Sequence, residues 1–334
     1  MKGGRGSIVQ LLRPVLDTYM DSAVGLTGCR ALGIERESCE YDVVVVGAEL
    51  RTPATIRAGD AYMDVFFLTE EEATAPTTPE IAVSLASVKP VKDTTLVLSA
   101  CTSAAREALA ENSRRSADEH LTSSIKAMGR ADDALSKGMV QDADFLLLTA
   151  GYDFAFAWLY SEGDQPAPSH ILAQLKHRSR GQSLMYEAFS SAAGLEGASR
   201  SRCEERLDGL SVIYDLKEAP AGEPEAAAPT TLRVAYEIVR RKSEFLVKAV
   251  QPVDCYAFLG LELARGLPET LRARTGADAD RLASSGVVSA LSKGKNKLIG
   301  ESLVRALGLG RDERAVRTAL AGLRLQVSAL ARKT

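Results

Sequence analysis

The sequence predicts an α+β protein: a small mixed β-sheet core with flanking helices, then a helical bundle, then a further C-terminal helical region. Three observations carry this expectation. The run "CEYDVVVVG" has the four consecutive valines of a buried strand and closes on Gly47. "AYMDVFFL" (61–68) reads as a second strand beside it. From about residue 103 the apolar period becomes helical and stays so to the C-terminus.

Ile8, Leu11, Leu12, Val15 and Tyr19 recur at helical spacing, so a helix is expected over 7–20, with Ser7 as N-cap and a kink at Pro14. A short apolar piece, "AVGLTG", leads through a turn at Gly28 into a short helix, "GCRALG", and then to the valine strand over 41–47. After the second strand, "TEEEATAPTTPE" reads as a polar loop. "IAVSLASV" and "TTLVLSA" bracket a lysine-containing turn, "KPVKD".

The helical run opens with "SAAREALAEN" and continues through "SSIKAMGRADDALSKG". "DADFLLLTAGYDFAFAWLYSEG" is the most apolar helix. Phe145, Leu148, Tyr152, Phe156 and Leu159 share one face, and Leu146, Phe154 and Trp158 extend it nearly all round. Such a helix belongs at the centre of a bundle. "QPAPSH" breaks the chain, with Ser169 placed to cap "HILAQLKHR"; pieces at 183–193 and 201–216 complete the bundle. "KEAPAGEPEAAAPTT" (217–231) has linker composition. The last helix carries the stripe Val316, Leu320, Leu323, Val327 and Leu330, with Asp312 near its start. The expected divisions are 1–100, 101–216, the linker 217–231, and 232–334.

A formal net charge of −3 gives no general attraction to nucleic acid or anionic membrane. No window approaches a membrane span, and the apolar run near the start is too short for a signal peptide. Five scattered cysteines without a CxxC pair, and three histidines, argue against structural zinc and for reduced thiols in a cytoplasmic protein.

Two chemistries compete for the end of the valine strand. A dinucleotide fingerprint needs G-x-G-x-x-G there, so that the backbone can approach a pyrophosphate. After Gly47 the second and third positions hold Glu49 and Thr52, and Pro53 sits where the helix would begin. Only Glu70, about where a ribose-binding acid falls, supports this reading, and the glycines fail it. The alternative lies upstream. Glu40 and Asp42, two apart on a strand, point to one side. Asp64 sits among Met63, Val65, Phe66 and Phe67, where an uncompensated carboxylate is costly and a divalent cation would compensate it. Three acids from two strands suit a pair of magnesium ions in phosphoryl transfer, and the Gly28 segment offers backbone N–H groups to a triphosphate.

These residues resemble the nucleotidyltransferases of the DNA polymerase beta superfamily, which carry a motif such as G-S-R-A-R-G, an acidic-x-acidic strand, and a third aspartate on the next strand. "GCRALG" matches the first from Gly28 to Gly33, "CEYDVVV" the second, and Asp64 the third. The resemblance covers residues 7 to about 100 and makes 1–100 a nucleotidyltransferase domain. It implies Glu40, Asp42 and Asp64 as catalytic metal ligands for Mg2+ or Mn2+, with Asp64 activating the acceptor hydroxyl. Gly28, Cys29 and Arg30 are implied as the NTP-binding residues, with ATP the expected NTP. The implied partner is an acceptor of unknown kind: a small molecule, an RNA end or a protein. The stretch 132–176 resembles the helical HEPN-like, substrate-binding domain that follows in many members, and the helical regions could also pair two copies in a homo-oligomer. Cys29 stands where the family has serine, and Leu32 where it has a second basic residue. That opens an alternative: a degenerate transferase fold that binds a nucleotide or protein without chemistry.

Three further clusters read first as solvated surface. Arg115 and His120 have the R-x4-H spacing of RNA-cleaving HEPN domains. His170 and His177 flank a helix with Lys176, Arg178 and Arg180. Lys293, Lys295 and Lys297 form a basic turn.

Overall fold

The computed structural model describes residues 5–47, 53–179, 183–218, 229–275, 286–291 and 297–333. The chain divides into two compact units, Met1–Ser116 with Arg233–Ile238, and Ala117–Leu232 with Val239–Thr334. It combines one five-stranded mixed sheet with many helices, as the α+β expectation holds.

The first unit contains the sheet, in the order β3-β4-β2-β1-β5. The strands are β1 (Ala23–Thr27), β2 (Tyr41–Val46), β3 (Ala54–Ala58), β4 (Ala61–Leu68) and β5 (Lys89–Lys92). Among the described strands, β2 and β4 run parallel and the other pairs are antiparallel. β2 lies at the centre, which is why its valines form an unbroken run rather than an alternating one. Val43 and Val45 pack with Val24, Met63, Val65, Leu12 and Val15 on one face. Val44 and Val46 pack on the other with Ala73, Leu85, Val88, Leu98 and Cys101. Two layers of helix therefore enclose the strand that carries Asp42.

Several expectations are corrected here. The helix foreseen over 7–20 is two helices, α1 (Arg5–Leu11) and α2 (Arg13–Thr18), so Ser7 lies inside α1 and not at its N-cap position. Pro14 stands in the first turn of α2, where its missing N–H costs nothing. After the short α3 (Gly28–Leu32), the supposed loop at 69–80 holds α4 (Glu70–Thr74) and the start of α5 (Pro79–Ala86). α4 is closed by a reciprocal pair: the Glu72 backbone N–H donates to Thr69, and the Thr69 N–H donates to the Glu72 carboxylate. The "KPVKD" turn is largely the edge strand β5, where Pro90 is tolerated because an edge leaves some N–H groups outside the ladder. β3 was not foreseen at all. α6 (Val97–Glu107) follows, begun by the Asp93 carboxylate accepting from the N–H groups of Leu98 and Ser99. α7 (Leu109–Ser136) carries the chain out of this unit.

The second unit is helical. Its centre is α8 (Val140–Ser161), with Phe145, Leu148, Tyr152, Phe154, Phe156, Trp158 and Leu159 all buried, as its apolar circumference demands. The two acids near its start are held individually. Asp142 accepts from the N–H of Val288 and from the Ser289 hydroxyl, and Asp144 pairs with Arg311. Burial still raises the Asp144 carboxyl above its ordinary range, against the pull of Arg311. α9 (Ile171–Arg178) is preceded by a short 3-10 turn, Pro168–His170, and its N-cap is His170, not Ser169. α10 (Ser183–Ala192) and α11 (Arg200–Glu218) follow, then α12 (Pro229–Phe245), whose Arg233–Ile238 belong to the first unit, then α13 (Pro252–Thr275), and Val287–Leu291, Lys297–Leu307 and Glu313–Leu330 as α14, α15 and α16. α11 packs on α13 and α15, and α16 on α8 and α10, so helices from both sides of residues 219–228 share this core. The final stripe, Val316 to Leu330, is buried, and Asp312 accepts from the Ala315 N–H as N-cap. No described helix is long and apolar enough to cross a membrane.

Candidate metal centre

The site forms where β1 ends, β2 begins and β4 runs alongside. Asp42 and Asp64 are direct partners in the parallel β2–β4 ladder, so their side chains leave the sheet together on one face. Thr27, the last residue of β1, pairs with Asp42 on its other side. Glu40 precedes β2 instead of lying in it, yet its carboxylate joins the other two. Ligand oxygens of Glu40, Asp42 and Asp64 all lie within 4.8 Å of one another. Glu40 is 9% exposed, and one oxygen each of Glu40 and Asp64 is shut off from solvent.

Gly28 explains how the backbone comes so close. Its φ of +67° lies in the left-handed region that favours glycine. A Cβ built there would stand 1.9 Å from Oδ2 of Asp42. The chain therefore bends tightly against a carboxylate, in space that no other residue can share.

Cys29 and Arg30 serve the same corner differently from a phosphate-facing motif. Cys29 is buried, and its thiol interacts with that of Cys39. That hydrogen bond, then burial, then the nearby charges of Cys39, Asp42 and Glu40 push its pKa up, so it stays a neutral thiol. Arg30 donates from Nε to the Glu40 carbonyl at 2.9 Å and from Nη2 to the Cys39 carbonyl at 2.6 Å. Its guanidinium also lies 4.0 Å from the Tyr41 ring centroid. Arg30 thus clamps the backbone that aims Glu40. This role has no sequence signature, because its acceptors are main-chain carbonyls.

Two outcomes follow. Arg30→Met should cost about 2 kcal/mol of stability in urea denaturation, the loss of charge-assisted bonds to two carbonyls. Arg30→Lys should recover only part, because an ammonium lacks the planar fork that spans both. For Cys29 the folded pKa is raised, so its contribution is full below the unfolded thiol's pKa and is lost above it. Urea stability should fall as pH rises past about 8.5, and Cys29→Ala should remove part of that fall, the rest coming from Cys101 and Cys255, whose thiols are also pushed up.

The remaining candidates are placed as follows. Gly47 has φ +93°, and the next described element is strand β3, not the helix a dinucleotide fingerprint requires; Glu49 and Thr52 lie outside the described residues. Arg115 is exposed on α7, and five helical residues place His120 about 140° round the axis from it. His120 Nδ1 is 3.1 Å from Asp153, with its ring stacked on Tyr160. His170 is buried, Lys176 lies 4.0 Å from Asp254, and Arg178 pairs with Asp164. Arg180, Lys293 and Lys295 lie outside the described residues, and Lys297 begins α15.

No protein-family model matches the chain, and no curated protein matches it.

Proposed function

We propose that the protein is a metal-dependent nucleotidyltransferase, moving a nucleoside monophosphate from an NTP, ATP in the first instance, to a hydroxyl or phosphate acceptor. The observation that supports this reading is the meeting of Glu40, Asp42 and Asp64 within 4.8 Å beside the Gly28 bend. The donor set fits magnesium: it is all oxygen, hard and anionic, and too small for a closed cage, leaving coordination positions for phosphates. Glu40, Asp42 and Asp64 would hold the cation, which would supply Lewis-acid polarisation of the transferring group.

The chain's own residues do the rest. The backbone at Gly28 and Cys29 receives the triphosphate, because the Cys29 side chain is turned into the protein against Cys39. Arg30 holds Glu40 in place through its carbonyl. Asp64 accepts the acceptor's proton as the acceptor oxygen attacks the α-phosphorus and pyrophosphate leaves.

The use of Cys29 and Arg30 inside the protein also favours a second reading, a fold that retains the acids but binds nucleotide or a protein partner without turnover. Incubating the protein with each α-labelled NTP, Mg2+ and cell extract separates the two. Transfer of label to an acceptor, lost on chelation, supports the enzyme. Nucleotide-induced thermal stabilisation that is indifferent to Mg2+ and to Asp42→Asn supports the binding module.

A further inference from the structure

On β4 the side chains alternate between faces, and Met63, Val65 and Phe67 are buried in the core. Tyr62, Asp64 and Phe66 take the opposite face, and Phe66 remains 43% exposed. It stands two residues from Asp64, about 6.6 Å along the strand. A large aromatic left open on a sheet beside three carboxylates serves neither core.

The adjoining edge strand adds two polar groups. Thr55 pairs directly with Asp64, and Arg57 pairs with Tyr62, so both share the face of the acids. The Arg57 guanidinium lies 5.7 Å from the Tyr62 ring centroid, and its side chain is 56% exposed. Its 4.0 Å approach to Glu237 is at the limit of an ion pair and, in solvent, worth little.

Building on the nucleotidyltransferase reading, we propose that Phe66 is the stacking platform for the terminal base of a single-stranded RNA acceptor. The base lies on the Phe66 ring, which places its ribose one sugar-width away, with the terminal hydroxyl at Asp64. Thr55, opposite Asp64, offers its hydroxyl to the 2′-OH, the group that distinguishes RNA from DNA. Arg57 meets the next phosphate. A polycationic small acceptor would seek the acids and leave Phe66 unused; an RNA end uses the aromatic, the hydroxyl and the cation together.

The test uses the full chain and a short 5′-labelled single-stranded RNA, with binding read by fluorescence anisotropy without NTP. Phe66→Ala should weaken binding roughly 5- to 100-fold, the loss of one stacked base, and Phe66→Tyr should retain it. Circular dichroism checks that the exposed truncation leaves the fold intact. An RNA with an abasic end should bind the wild-type protein as weakly as Phe66→Ala binds the intact strand, and Phe66→Ala should not distinguish the two. In transfer assays, the Phe66→Ala loss should fall on KM for the RNA. Equal binding by Phe66→Ala and wild type, or indifference of the wild type to the abasic end, overturns the platform. Equal binding of the matching DNA strand overturns the assignment to RNA. Because binding is read without turnover, its result stands even if no NMP transfer is found. Transfer that needs Asp64 but is untouched by Phe66→Ala overturns the platform alone.

Discussion

Asp42→Asn and Asp64→Asn are each expected to lower Mg2+-dependent NMP transfer by about 10³-fold or more. A metal site contributes several kcal/mol of transition-state stabilisation, and each 1.36 kcal/mol is tenfold in rate. Asparagine keeps the shape of aspartate but removes the charge that holds the cation. The same substitutions should have an opposite effect on the metal-free protein. Three carboxylates within 4.8 Å repel one another, by about 3 kcal/mol per ionised pair at an effective dielectric of 20. Neutralising one relieves that repulsion, so each variant should melt no lower than wild type in EDTA. Added Mg2+ should then raise the wild-type midpoint and leave the variants where they were, because only a protein that binds the ion is stabilised by it. Differential scanning calorimetry with and without Mg2+ reads both effects. A variant destabilised in EDTA would mean that its carboxylate was holding the fold instead of a cation.

The second large effect belongs to Gly28→Ala. A non-glycine residue in the left-handed region costs about 1–2 kcal/mol, and crowding in packed surroundings costs typically about 1–3 more. The added Cβ would stand 1.9 Å from Asp42 Oδ2, so either the bend opens or the carboxylate moves. We expect a loss of about 2–5 kcal/mol in urea denaturation, together with loss of the Mg2+-induced shift in midpoint. Gly33 supplies the control. It has φ +75° but nothing within 4 Å of a built Cβ. Gly33→Ala should cost only the conformational part, about 1–2 kcal/mol, and keep the response to Mg2+. Equal effects at the two glycines would show that backbone strain alone matters and that Gly28 is not shaped around Asp42.

The parts of the fold that were legible in the sequence are those with a long or saturated apolar pattern. The valines of β2, the apolar circumference of α8 and the Val316–Leu330 stripe each have a single burial that satisfies them. The short and half-buried elements were not legible. β3 is a five-residue outer strand with no buried residue, and β5 is an edge with two lysines and a proline, so neither carries a burial pattern. α4 is three glutamates, an alanine and a threonine, too short and too polar for a burial pattern, and the Thr69–Glu72 capping pair that starts it was missed in the sequence. The acids of the site were legible because Asp64 interrupts an apolar strand and Glu40 and Asp42 sit two apart. Their alignment was not, because it depends on β2 and β4 pairing in parallel with Asp42 opposite Asp64. The roles of Arg30 and the exposure of Phe66 likewise follow from register and from main-chain acceptors, which leave no mark on residue identity.

Glu40, Asp42 and Asp64 are proposed to form one divalent-cation site. Crystals soaked in Mn2+, with anomalous scattering recorded near the manganese edge, test it most directly. The expected result is an anomalous peak bonded to oxygens of all three residues, absent in Asp64→Asn. A peak elsewhere, or none at these carboxylates while Mn2+ saturates the solution, would contradict it.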